Sequence, residues 1–150
     1  MRSIFSKLTW GVIAGYCLIF SASQAQAGSV EQNKAFIQKY FAAISGRDKP
    51  AATLDIYVTD EELKKHVGFF ETSFPQFSLV SEDMVGEGDK VSVRVRFAGV
   101  HKGDLMGIQS TGKSVDVPFI IIYRIANGRI AEHWMSLDQT VLLKQLGVMK

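Results

Sequence analysis

The chain holds a single cysteine, Cys17, among its 150 residues. One cysteine excludes an internal disulfide and any zinc site built on paired thiolates. Acidic residues are missing from the whole N-terminal stretch before Glu31, where Arg2 and Lys7 are the only charges in the first 27 positions. The run from Leu8 to Phe20 is apolar apart from Thr9 and a few small residues. It is shorter than the ~20 residues that span a bilayer as a helix. A basic start, a short apolar run and the small residues of Ala25-Gln26-Ala27 are the three parts of a secretory signal peptide. Cys17 lies inside the run, poorly placed for lipid attachment at its end. Cleavage after Ala27 is therefore expected. Residues 1–27 would be the signal and 28–150 a mature domain, periplasmic or secreted, with no membrane attachment afterwards.

Cleavage changes the chemistry of what remains. Loss of Arg2 and Lys7 reduces the 17 basic residues to 15, matching the 15 acidic ones. A neutral surface has no large cationic field for nucleic acid or anionic lipid. Cysteine disappears altogether, and with it any thiolate nucleophile. Removing 27 of the 150 residues leaves 123, enough for one core without covalent staples.

Other signatures are absent too. No G-x-S-x-G elbow supports serine hydrolysis. His66, His101 and His133 have no H-x-H or H-x-x-x-H spacing, so no metal site is expected. One motif does match: Gly107-Ile108-Gln109-Ser110-Thr111-Gly112-Lys113-Ser114 fits G-x-x-x-x-G-K-[ST]. A working phosphate loop opens a helix. Here Val115-Asp116-Val117-Pro118 follows, a strand-like run, so the match reads as a turn between strands.

What is present is periodicity. Ser29-Val30-Glu31-Gln32 reads as a capping box, followed by Phe36, Ile37, Tyr40, Phe41 and Ile44 at helical spacing and a stop at Gly46. A short helix is expected over 51–57. Thr59-Asp60-Glu61-Glu62 reads as a second capping box, with Leu63, Val67, Phe70 and Phe74 striping the helix behind it. From Phe77 the period becomes two: Val91, Val93, Val95 and Phe97 alternate with polar residues. The stretch 115–125 is apolar on both faces, and Asn127-Gly128 favours a type I′ hairpin turn. A short helix over 139–146 would end at Gly147. Helices, then a curled antiparallel sheet, then a tail helix make an α+β domain.

A two-residue turn at Asn127-Gly128 pairs Ile125 with Ile130, Tyr123 with Glu132, Ile121 with Trp134, Phe119 with Ser136 and Val117 with Asp138. Alternation then places all ten on one face, an apolar wall carrying three polar groups, as ligand pockets have. Asp138 has two readings, a pocket carboxylate suited to proton transfer or the N-cap of the tail helix. Glu132 faces either the pocket or solvent at a sheet edge. Trp134 is either core or a ligand platform. His101 points inward if the strand through Phe97 stays regular, and otherwise lies in a loop. The opposite face would hold Ile120, Ile122, Met135 and Leu137. That apolar strip is larger than a monomer usually exposes, and it suits a homodimer through the outer sheet face.

Gly99-Val100-His101-Lys102-Gly103, Gly107, Thr111-Gly112-Lys113, Asn127-Gly128-Arg129-Ile130, Glu132, Trp134, Asp138 and Gln145-Leu146-Gly147 together resemble the SnoaL-like polyketide cyclases. These are also called ester cyclases, within the nuclear-transport-factor-2-like superfamily. The resemblance implies a cone of curved antiparallel sheet closed by helices, commonly dimeric through its open face. It also implies ring closure by intramolecular aldol chemistry without metal or cofactor, using a pocket aspartate as acid and base. By similarity that role falls on Asp138, with His101 as a second polar group. Trp134, Phe119, Tyr123, Ile121, Glu132 and Ser136 would then surround a small, largely apolar ligand. The alternatives on the same fold are a carrier or sensor without turnover, and an interaction module using the outer face. Val100 stands where threonine usually precedes the histidine, and Gln76 where aspartate often follows Phe-Pro.

Overall fold

The computed structural model describes residues 29–149, so the expected signal segment lies outside the described residues. Helix α1 (Val30–Ile44) starts from the expected box: the Ser29 hydroxyl accepts from the Gln32 N–H at 3.3 Å, and the Gln32 amide oxygen accepts from the Ser29 N–H at 2.9 Å. Its spacing of Ile37, Tyr40, Phe41 and Ile44 presents one stripe, and all four are buried. Helix α2 (Ala51–Tyr57) is short and ends at Val58, which bridges to Ile130 at the start of the last strand.

Helix α3 (Glu61–Ser73) departs from expectation at its cap. Asp60, not Thr59, is the N-cap, its Oδ1 accepting from the N–H groups of Glu62 and Leu63. Thr59 is already engaged, because its N–H and its hydroxyl both donate to the Ile130 carbonyl, at 2.8 and 3.1 Å. The link between α2 and α3 is thereby fastened to the sheet, and the cap passes to the next residue.

Strands β1 (Ser78–Glu87), β2 (Lys90–Val100), β3 (Ser114–Ala126) and β4 (Arg129–Leu137) form one antiparallel sheet in chain order, curved and unclosed. Helix α4 (Gln139–Leu146) follows and stops at Gly147, whose φ of 75° is the left-handed cap that glycine adopts without strain. Alternation buries Val91, Val93, Val95 and Phe97 on the concave side against the helices, while Arg94 and Arg96 remain outside in ion pairs with Glu82 and Asp116. The phosphate-loop lookalike lies in the β2–β3 connection and runs into β3 at Ser114; no helix follows it.

The β3–β4 hairpin turns at Asn127 (φ 52°) and Gly128 (φ 70°), the positive angles that a type I′ turn requires. Ala126 pairs with Arg129 and Ile125 with Ile130, as the turn dictates. The register then slips by one: Arg124 faces Glu132, Tyr123 faces His133, Ile122 faces Trp134, Ile121 faces Met135 and Phe119 faces Leu137. Ala131 is the extra residue of a β-bulge, and beyond it every β4 side chain changes face. Glu132, Trp134 and Ser136 are therefore outside, and His133, Met135 and Leu137 inside. Regular pairing would bury the Glu132 carboxylate. The bulge instead leaves it in solvent, 2.7 Å from the Arg124 guanidinium, and delivers His133 to Asp60.

Candidate active site

Between the concave face, α1, α3 and α4 lies an apolar pocket with a cavity volume of about 60 Å³, measured over positions open to the centre of a water molecule. Tyr40 comes from α1, Leu63, His66, Val67 and Phe70 from α3, and Leu142 from α4. The sheet supplies Phe119, Ile121 and Tyr123 from β3 and His133, Met135 and Leu137 from β4, with Phe97 and Val117 deeper in. Among lining side chains, the ionisable groups are two phenols and two imidazoles. Burial pushes the Tyr40 phenol well above its ordinary range, and burial plus the neighbouring Tyr40 does the same to Tyr123. Both stay protonated and can donate to a ligand oxygen.

The imidazoles belong to a cluster. His133 Nδ1 lies 2.7 Å from Asp60 Oδ2, with only 8% and 12% of the two side chains exposed. His133 Nε2 lies 3.0 Å from His66 Nδ1, the rings standing at 84°. Each position follows from local structure: Asp60 caps α3, His66 sits nearly two turns on, exposed at helical spacing from Leu63 and Phe70, and the bulge turns His133 inward. Burial alone would raise Asp60. The hydrogen bond from His133, the Leu63 N–H, the charge of the imidazole and the Glu62 N–H outweigh it and hold the carboxyl below the usual range. Among the described residues, no three His, Asp or Glu side chains converge as a metal-ligand set.

The sequence-derived candidates are placed apart. Phe119, Ile121 and Tyr123 line the pocket. Glu132 and Trp134 face solvent on the convex side, Trp134 with 47% of its surface exposed and with the Lys90 ammonium 5.4 Å from its ring. Ser136 lies on that same side. Asp138 is exposed and caps α4, Oδ1 accepting from the Thr140 N–H at 2.8 Å. His101 is wholly buried in the loop after β2, its ring tilted 32° to that of Phe74 with centroids 5.1 Å apart, and outside the pocket lining. Its Nδ1 accepts from the Thr111 N–H at 3.2 Å, so the hydrogen is on Nε2, which is buried without a partner. Neither predicted catalytic residue, Asp138 or His101, lines the pocket. Asp138→Ala is expected to cost about 1 kcal/mol through the lost cap, and Asp138→Asn almost nothing, in urea denaturation. A loss above about 2 kcal/mol in the asparagine variant would show a role beyond capping.

The family model for SnoaL-like polyketide cyclases matches residues 47–146. The chain belongs to the SnoaL-like polyketide cyclase family. Solved structures agree with this SnoaL-like fold. A protein from Jannaschia sp. CCS1 assigned to the SnoaL-like polyketide cyclases superposes with a TM-score of 0.71 at 21% identity, over 85% of this chain and 99% of that one. AclR from Streptomyces galilaeus gives 0.69 at 24% identity, over 81% and 84%. TsrD from Streptomyces laurentii gives 0.67 at 26% identity, over 77% and 95%. No curated protein matches the chain. The cluster of Asp60, His66 and His133 escaped the sequence argument. Helical spacing of His66 with Leu63 and Phe70 was a usable signal for one member; the inward turn of His133 depends on the bulge.

Proposed function

We propose that this SnoaL-like protein binds a small, uncharged, largely apolar molecule and moves a proton on it, as a cyclase or isomerase would. The observation that carries the reading is a carboxylate–imidazole–imidazole chain whose two histidines line a pocket that is otherwise hydrocarbon and phenol. Apolar walls select the ligand and thin the water around it, which strengthens each polar contact. An imidazole removes a proton from carbon beside a carbonyl, and the resulting enolate oxygen takes a hydrogen bond from a neutral tyrosine. In ring closure the enolate carbon attacks a second carbonyl of the same molecule, and the imidazolium returns its proton to the new alkoxide. Atoms and electrons balance with no other reactant. Asp60 orients His133 and stabilises the positive charge that the imidazoles acquire.

The test begins with native mass spectrometry of protein from its own source, to find a co-purifying molecule. That molecule, incubated with the protein in D₂O, is expected to take up deuterium at carbon. His133→Asn keeps a donor for Asp60 but breaks the imidazole pair, and should slow exchange roughly 10²–10⁴-fold with binding retained. A bound molecule recovered without deuterium would make the protein a carrier.

Two further parts of the reading concern where the protein works and how it assembles. Export is inferred from the signal-like start, and α1 carries a complete capping box at Ser29, just downstream of Ala27. For assembly, the convex face is the surface a second copy would cover. Its apolar row differs from the strip read from regular pairing, because Met135 and Leu137 line the pocket. Ile120 and Ile122 are joined instead by Trp134 and Val85, across the register Val85–Ser92–Ile122–Trp134. Trp134→Glu is expected to convert a dimer to a monomer in sedimentation experiments. A wild-type monomer at high micromolar concentration would overturn the proposal.

A further inference from the structure

The hydrogen-bond chain has a direction. Asp60 Oδ1 receives two backbone N–H groups, and Oδ2 faces His133 Nδ1. A carboxylate only accepts, so the hydrogen of this contact is on His133 Nδ1. In a neutral ring the lone pair of His133 is then on Nε2, which faces His66 Nδ1 at 3.0 Å. That contact is satisfied only if His66 Nδ1 carries a hydrogen, which leaves the lone pair of His66 on Nε2. Both nitrogens of His133 are therefore engaged inside the cluster, and a molecule in the pocket meets no free base there. His66 lines the same pocket but is itself an exposed residue.

Resting on the acid–base reading above, we infer that His66 Nε2 is the atom through which protons enter and leave the cluster, making His66 the group that meets the substrate. Asp60 and His133 are positioning residues behind it. When His66 Nε2 takes a proton from carbon, its Nδ1 hydrogen can shift to His133 Nε2, so the positive charge moves one ring closer to Asp60. No heavy atom has to move. The exposure of His66 also opens it to water, so the proton can be exchanged between turnovers.

The experiment has two readouts on the mature protein. In the first, ¹⁵N-histidine NMR at a pH where both rings are neutral is expected to show hydrogen on Nδ1 of His133 and on Nδ1 of His66. Hydrogen on Nε2 of His66 would mean the chain runs the other way and would overturn the inference. This readout needs no ligand. In the second, His66→Phe should slow deuterium uptake into the co-purifying molecule at least 10²-fold while its retention in native mass spectra is unchanged. His66→Gln, which keeps a polar side chain without a base, should be equally slow. Undiminished exchange in either folded variant would overturn it. A wild-type protein that exchanges nothing would sink the acid–base reading instead, and the tautomers in the same sample would still decide the direction of the chain.

Discussion

Asp60→Asn is expected to lower proton-transfer activity roughly 10²–10⁴-fold while leaving stability near neutral pH within about 1 kcal/mol of wild type. Asparagine caps helices as well as aspartate, so the amide oxygen can keep the Glu62 and Leu63 N–H groups. Its other end is an NH₂ donor, and His133 must then present a lone pair at Nδ1. That inverts both imidazoles and places a hydrogen where the free base is needed. Acid stability gives an independent check. Asp60 is held below its ordinary range, so its contribution to stability is present above the unfolded value of ~3.9 and is lost as pH falls through the lower folded value. Urea denaturation of wild type should weaken along that acid limb, and Asp60→Asn should lack this part of the slope. Equal activity in the two proteins would remove Asp60 from the chemistry.

A larger effect on stability is expected at Lys49. Its side chain is fully buried, donating to Glu71 at 2.7 Å and to the carbonyls of Arg47 and Phe77 at 2.8 and 3.1 Å, with the ammonium 3.8 Å from the Phe77 ring. Burial pushes the ammonium below its ordinary range against the pull of Glu71 and Asp48. Lys49→Ala leaves two carbonyls and a carboxylate without their cation, and should cost about 3 kcal/mol, toward the low end for a broken buried pair. Glu71 is partly exposed and keeps the Gln76 N–H, which moderates the loss. A cost below about 1 kcal/mol in urea denaturation would show that water replaces the ammonium. Phe77 lines the pocket, so the variant should also loosen ligand retention.

The helices were legible because each signal is local. The Ser29 box, the α1 stripe, the 51–57 and 139–146 helices and the Gly147 stop depend on residues within a few positions of one another. The Asn127-Gly128 turn was legible for the same reason. Two features were not. The α3 cap fell on Asp60 because Thr59 bonds to Ile130, a partner 71 positions away. The pocket wall was misassigned because alternation is an exact period of two, so one unpaired residue exchanges the two faces. The β3 half of the wall, Phe119, Ile121 and Tyr123, precedes the turn and is counted correctly. The β4 half lies beyond Ala131 and is inverted. His66 sat on a visible stripe, but one histidine among apolar neighbours has no meaning until its partner is in place.

The bulge at Ala131 gives the strand two alternative linings written into the same letters. Read with Ala131, β4 offers the interior an imidazole, a thioether and an isobutyl group, from His133, Met135 and Leu137. With Ala131 paired regularly instead of bulged out, the same strand would offer a carboxylate, an indole and a hydroxyl, from Glu132, Trp134 and Ser136. Loss of the Ala131 codon would remove the bulge and keep the lining, because Glu132 would still face Arg124 and His133 would still face Tyr123. Absorbing Ala131 into the ladder would instead replace half of the interior at once, with no side chain substituted and the hairpin turn untouched. Relatives one residue shorter between this turn and the tryptophan would keep this lining, whereas relatives of equal length that pair regularly there would carry different chemistry on a common backbone. Comparing them letter by letter, without counting the bulge, would equate residues that never occupy the same space.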